Sequence, residues 1–139
     1  MTGSGLDRFA APLEATHAQA VAELRAGLKR GHWMWWVFPQ LASLGRSPTA
    51  KAYGLAGLAE ADAFLADPRL GPRLVEAARA MLTNAGRDAA AVLGPVDAMK
   101  LRSSATLFAA VPGAPPEFQA ILDAFYGGEP DPLTVAALG

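Results

Sequence analysis

The segment Asp67-Pro68-Arg69-Leu70-Gly71-Pro72-Arg73-Leu74-Val75-Glu76-Ala77-Ala78-Arg79-Ala80-Met81-Leu82-Thr83-Asn84 decides the fold class. Asp67 before Pro68 has the form of an N-cap followed by a residue whose fixed backbone angle suits the first helical turn. Leu70, Leu74, Val75, Ala78 and Leu82 then recur at helical spacing, Arg69, Arg73, Glu76 and Arg79 mark the wet side, and Gly86 follows as a stop. The spacing predicts a helix from near Asp67 to Asn84.

The same start signal stands at Ser47-Pro48 and Asp131-Pro132, with a weaker form at Gly94-Pro95. Thr16 with Gln19 has the form of a capping box, after which Val21, Leu24 and Leu28 keep helical spacing until Gly31. Further helices are expected from Leu58 to Ala66, Asp88 to Leu93, Pro95 to about Val111 and Pro116 to Tyr126. Alanine-rich composition favours helix, and no Asn-Gly hairpin or sustained alternation competes with it. The expectation is an all-α, compact single-domain bundle of several short helices over 1–139, with 1–5 disordered. Pro112 to Pro116 reads as a loop and not as a domain boundary, because too little chain follows it to fold alone.

Composition narrows the function classes. The chain has 139 residues and no cysteine, which excludes disulfides, thiolate metal sites and cysteine nucleophiles and is compatible with a reducing compartment. The N-terminus lacks a basic stretch followed by an apolar run, so no secretory signal is expected. The longest strongly apolar run, Trp33 to Phe38, is far short of the roughly 20 residues that span a membrane. A cytoplasmic location and no membrane partner are the corresponding expectations. Twelve basic and thirteen acidic residues are interspersed, which argues against an extended nucleic-acid surface but leaves room for a local anion site. Only His17 and His32 offer imidazoles, and phosphate-loop, dinucleotide-turn, nucleophile-elbow and zinc-helix motifs are absent, so no metal or cofactor is expected.

Two segments stand apart. Lys29-Arg30-Gly31-His32-Trp33-Met34-Trp35-Trp36-Val37-Phe38-Pro39-Gln40 carries all three tryptophans. A helix through Phe38 would put His32 and Trp36 on one face and Met34, Trp35 and Phe38 on another, with Pro39 ending it. Trp35 is then expected in the core, and at least one of Trp33 and Trp36 at a cavity or the surface. In Asp97-Ala98-Met99-Lys100-Leu101-Arg102-Ser103-Ser104-Ala105-Thr106-Leu107-Phe108, the residues Asp97, Lys100, Leu101, Ser104 and Phe108 share an arc of roughly 100° on a helix begun at Pro95. Polar groups therefore sit on the apolar side. N–H groups at the helix start and the Lys100 ammonium could converge on a phosphate or carboxylate, with Ser103 and Ser104 adding hydroxyls. The competing reading makes Asp97 an ordinary first-turn acid and Lys100 its neighbour.

His32-Trp33-Met34-Trp35-Trp36-Val37-Phe38-Pro39-Gln40, Leu44-Gly45-Arg46-Ser47 with Tyr53-Gly54, Leu70-Gly71-Pro72-Arg73-Leu74, and Lys100-Leu101-Arg102-Ser103-Ser104 with Thr106-Leu107-Phe108 together resemble the successive motifs of the bacterial domain-of-unknown-function family eighteen-ten. The resemblance implies a compact, largely helical fold and no established reaction. Members are sometimes labelled calpastatin, a name at odds with this packed composition, since such an inhibitor would act as a flexible segment. Where the family tends to carry a serine before the HWMW run, this chain has Gly31, so no hydroxyl role carries over there.

The functional expectation is a small-molecule-binding protein or enzyme for an anionic, nucleotide-like ligand, ADP-ribose-like molecules included, held between the HWMWW segment and the Lys100 helix. Trp33, Trp36, Gln40, Lys100, Arg102, Ser103 and Ser104 are the candidate binding residues, and His32 and Asp97 the candidate proton handlers. The alternative is a non-catalytic protein-interaction module, with exposed Trp and Arg as anchors. A deep concavity would favour the ligand, and a flat apolar patch the partner.

Overall fold

In the computed structural model, which describes residues 4–139, the first helix runs far beyond the capping signal at Thr16. This helix, α1, spans Ser4–Ala26. Leu6, Phe9, Leu13, Ala20 and Leu24 form its buried stripe at three- and four-residue spacing. Thr16 is thus an interior residue, and its hydroxyl donates back to the Pro12 carbonyl at 2.7 Å. Pro12, which has no N–H, interrupts the backbone ladder without ending the helix. Of the start expected to be disordered, Ser4 and Gly5 belong to α1, and residues 1–3 lie outside the described residues.

Eight more helices follow among the described residues: α2 Met34–Val37, α3 Pro48–Ala52, α4 Leu58–Ala66, α5 Gly71–Leu82, α6 Ala89–Leu93, α7 Pro95–Ala109, α8 Glu117–Tyr126 and α9 Pro132–Leu138. The chain is therefore an all-α domain. Its strand-like pairing is an isolated parallel bridge between Leu41 and Leu55, beside a short 3-10 turn at Ala42–Leu44. No described helix is long and apolar enough to cross a membrane.

Side-chain caps explain the starts of α3, α6 and α9. Ser47 accepts from the Ala50 N–H, Asp88 from Ala90, and Asp131 from Thr134, each satisfying a backbone donor that the first turn leaves free. Asp67 behaves differently. It ends α4, and its carboxylate accepts the Arg69 N–H in a turn, so α5 begins four residues later, with Pro72 in its first turn. Side-chain capping two residues on favours a turn as readily as a helix start.

Four phenylalanines tie the helices into one core. Phe9 of α1 meets Phe64 of α4 edge-on at 5.2 Å, Phe64 meets Phe108 of α7 at 5.7 Å, and Phe108 meets Phe118 of α8 at 5.3 Å. Around this row α1 packs on α5, α5 on α8, and α7 on α6, α8 and α9. The α7 helix buries Leu101, Ser104, Ala105 and Phe108 toward the core. That explains the polar intrusion in its apolar arc: Asp97 and Lys100 occupy the end of that face where the chain after α1 arrives.

Close helix contact leaves no room at the start of α5. A Cβ on Gly71 would lie 2.0 Å from the Leu65 carbonyl oxygen, which is backbone and cannot swing away. Helix propensity alone favours Gly→Ala by about 1 kcal/mol. The clash should reverse that sign, with Gly71→Ala losing roughly 1–3 kcal/mol as overpacking does. Urea unfolding of the variant measures it, and a gain in stability would contradict the packing.

Candidate functional site

The arrangement of the tryptophans is set by Glu23, near the end of α1. Its Oε1 accepts the Arg30 N–H at 2.8 Å, the Gly31 N–H at 2.9 Å and the Trp33 indole N–H at 3.0 Å, while Oε2 accepts from Gln19 at 2.7 Å. Burial alone would raise this carboxyl. The donors from Gly31, Arg30, Gln19 and Trp33 overcome it and hold the pKa at about 2.

Trp33 is consequently the buried ring, 1% exposed, and not the site ring expected from sequence. The helix that follows is one turn, Met34–Val37, and does not extend to Phe38. Over that turn Trp33, Met34, Val37 and Phe38 point inward, which leaves Trp35 and Trp36 on the other side. Trp36 donates its indole N–H to Thr16 at 2.9 Å and packs edge-on against Tyr53 at 5.2 Å. It is an interhelical tie. Trp35, expected in the core, instead forms part of a cavity wall.

That cavity has a volume of about 500 Å³ and lies between the segment 35–53 and the outer face of α7. Val96, Met99, Lys100 and Ser103, spaced as one helical stripe, form the α7 wall. Trp35, Gln40, Arg46, Ser47 and Tyr53 face them, and Asp131 and Leu133 close one side from α9. The backbone of Gln40 is fixed because its main-chain carbonyl accepts the Leu55 N–H in the isolated bridge. The Asp131 Oδ2 is engaged by the Ser103 hydroxyl and by the N–H and hydroxyl of Thr134, whereas Oδ1 has no partner among the described residues. Arg46 is exposed and has no carboxylate in ion-pair range among the described residues.

Beside this cavity is a second of about 70 Å³, lined by Lys29, His32, Met34, Trp35, Asp97 and Lys100. Asp97 is gripped from both sides: Lys29 Nζ lies 2.9 Å from Oδ2, and Lys100 Nζ 3.0 Å from Oδ1. Burial pushes the Asp97 carboxyl up, but the two ammonium groups outweigh it and hold it below the usual range. An ionised Asp97 can accept hydrogen bonds and is unsuited to donating a proton. Lys29 also donates to the Gly31 carbonyl at 2.6 Å, and the Lys100 ammonium sits 3.8 Å over the Trp35 ring. The anion expected to be drawn to the start of α7 is thus supplied in part by the chain's own Asp97.

Of the residues singled out from sequence, Gln40, Lys100 and Ser103 line the larger cavity, and His32, Asp97 and again Lys100 line the smaller. Ser104 is buried in the core with no partner for its hydroxyl among the described residues, and lines neither cavity. Arg102 turns to Glu129, donating to its carbonyl at 3.1 Å, and stands over the Tyr126 ring. Trp35, Arg46, Tyr53, Asp131 and Lys29 were missed. Arg46 lay inside a quoted motif and Asp131 inside a cap signal, but neither pattern indicates a cavity.

The fold and this two-cavity arrangement define a small all-α domain of an uncharacterised class. The chain belongs to the family described as Protein of unknown function (DUF1810), which matches residues 3–138. Among solved structures it is similar to the conserved hypothetical protein Rv1873 from Mycobacterium tuberculosis, with 48% identity, a TM-score of 0.92, and coverage of 96% of this chain and 95% of that one. No match was found among curated proteins.

Two predictions follow from the charges. Because the folded pKa of Glu23 lies below its ordinary 4.5, its contribution to stability is complete above about 4.5 and is lost as the pH falls through about 2. Glu23→Gln should therefore flatten the decline of stability across that window in urea titrations at successive pH values. Asp67, Glu76, Asp97 and Glu117, also held low, maintain the remaining slope. The second concerns the lysines, whose side chains are 9% exposed for Lys29 and 20% for Lys100. Either change leaves Asp97 one ammonium, but Lys29→Met also removes the more buried partner and the bond to the Gly31 carbonyl, so it should cost roughly 2–3 kcal/mol against about 1 kcal/mol for Lys100→Met. Equal losses in chemical unfolding would contradict this division.

Proposed function

We propose that the chain binds a small organic anion bearing a flat ring, nucleotide-like or ADP-ribose-like, in the cavity between the segment 35–53 and α7. The observation that carries the reading is the cavity itself: about 500 Å³, within the roughly 300–1,000 Å³ typical of ligand sites, with the uncommitted Arg46 on its wall. Trp35 and Tyr53 supply aromatic surface, Val96 and Met99 apolar surface, and the free Asp131 oxygen and the Gln40 amide suit hydroxyl or amino groups of a ligand. His32 is the proton handler if the ligand is turned over, since Asp97 is held ionised. The setting that goes with this reading is a bacterial cytoplasm, supported by the mycobacterial relative and a cysteine-free chain.

A protein-docking reading draws on one specific feature, the apolar rim, where Met99 is 72% exposed and Val96 and Leu133 are comparably bare. A thermal-shift screen against nucleotides, dinucleotides, sugar phosphates and short carboxylates separates the two. A ligand of the folded state at a hundred times its dissociation constant adds about 2.7 kcal/mol. The expected result is such stabilisation by a ring-bearing anion, weakened at least tenfold in affinity, about 1.4 kcal/mol, by Arg46→Gln. No stabilisation across the screen would overturn the small-molecule reading in favour of docking.

A further inference from the structure

The smaller cavity has more hydrogen-bond donors than acceptors. An ammonium carries three protons. Lys29 spends one on the Gly31 carbonyl and one on Asp97 Oδ2, and Lys100 spends one on Asp97 Oδ1 while its charge rests on the Trp35 face. Each ammonium therefore keeps a proton with no described protein acceptor. Both Asp97 oxygens are already occupied, and the two lysines leave one positive charge beyond what Asp97 neutralises. His32, exposed at the edge, adds ring nitrogens without a protein partner among the described residues. Such a concavity is completed by an acceptor-rich anion.

Trp35 and Lys100 line both cavities, so the stacked pair is their common wall. We propose that the smaller cavity is an oxyanion subsite that takes a phosphate-type group of the ligand whose ring occupies the larger one. Lys29 and Lys100 provide the counter-charge and His32 the outer donor. A tetrahedral oxyanion directs its terminal oxygens out of any one plane, toward donors on different walls, whereas the oxygens of a carboxylate, though each can accept several bonds, lie in a single plane. The ligand class is therefore a phosphorylated nucleoside or similar ring-bearing phosphate, and the inference rests on the small-molecule reading above.

The test is titration of the full chain with inorganic phosphate at constant ionic strength in chloride, followed by the three tryptophan indole N–H signals in NMR spectra. The Trp35 signal should shift saturably, while those of Trp33 and Trp36, engaged by Glu23 and Thr16, should stay. Those two signals also report that each variant is folded. Lys100→Gln should weaken phosphate binding at least tenfold, and Lys100→Arg should largely retain it. Adenosine 5′-monophosphate should bind at least tenfold more tightly than adenosine in the native chain, with that advantage lost in Lys100→Gln. No saturable Trp35 shift, or unchanged phosphate affinity in folded Lys100→Gln, would overturn the subsite. Adenosine binding that ignores both the phosphate and Lys100 would overturn it while leaving the larger pocket standing. Phosphate binding with no response to either nucleoside compound would support the subsite and count against the larger reading.

Discussion

A single carboxylate governs how this domain leaves its longest helix. Glu23 collects two consecutive backbone N–H groups and an indole N–H on one oxygen. Without those bonds the segment after α1 would have several donors to satisfy in a region already crowded by the core. With them, the chain turns at Arg30 and Gly31 and drives Trp33 inward. The phase of the next turn is then fixed. Because Trp33, Met34, Val37 and Phe38 fill the core side, Trp35 must stand on the opposite side, where α7 passes. Placement of the candidate site ring is thus a consequence of a hydrogen-bonded charge one helix away.

Lys29 completes the constraint from the other side. Its backbone N–H reaches the Val92 carbonyl at 2.8 Å, its ammonium reaches Asp97 and the Gly31 carbonyl, and it lies 5.1 Å from the Trp33 ring. The loop between α1 and α2 is therefore held to α7 by an ion pair and to α1 by Glu23. A nearly buried pair of this kind is weak evidence for stability by itself, since desolvation offsets much of the attraction. Its consequence here is positional: it brings Asp97 between two cations and leaves Lys100 free to lie across Trp35.

How much of this was legible follows from the range of each interaction. Local chemistry was readable: Ser47, Asp88 and Asp131 cap helices through donors two or three residues away, and those starts stand where the sequence places them. Asp67 shows the limit, because the same residue type makes an Asx turn by an equally local bond, and only the docking of α5 against Leu65 decides. Thr16 has a capping pattern but sits mid-helix, since Leu6, Phe9 and Leu13 extend the buried stripe past Pro12. Residues of both segments line the cavities, but the tryptophans of the first are placed the other way round from the expectation, Trp33 in the core and Trp35 on a cavity wall. The partners that sort them, Glu23 for Trp33, Thr16 for Trp36 and Lys100 for Trp35, lie 10, 20 and 65 residues away in sequence, and no short pattern encodes such pairings.

The α7 helix serves both the core and the larger cavity. One face carries Leu101, Ala105 and Phe108 into the row of phenylalanines, and the neighbouring stripe of Val96, Met99, Lys100 and Ser103 forms the cavity wall. Wall residues on a helix locked by core packing would lose little further freedom on binding the proposed ligand, which would favour association. The same economy couples site to fold at Asp131. Its Oδ2 caps α9 through Thr134 and receives the Ser103 hydroxyl of α7, so the carboxylate of this cavity-lining residue is held by bonds that serve the fold. Its own N–H in turn donates to the Thr106 hydroxyl, itself bonded to the Arg102 carbonyl. Removing the carboxylate would therefore loosen α9 from α7 and empty one wall of its acceptor together, whereas Arg46, bound to nothing described, can be removed from the site without touching the fold.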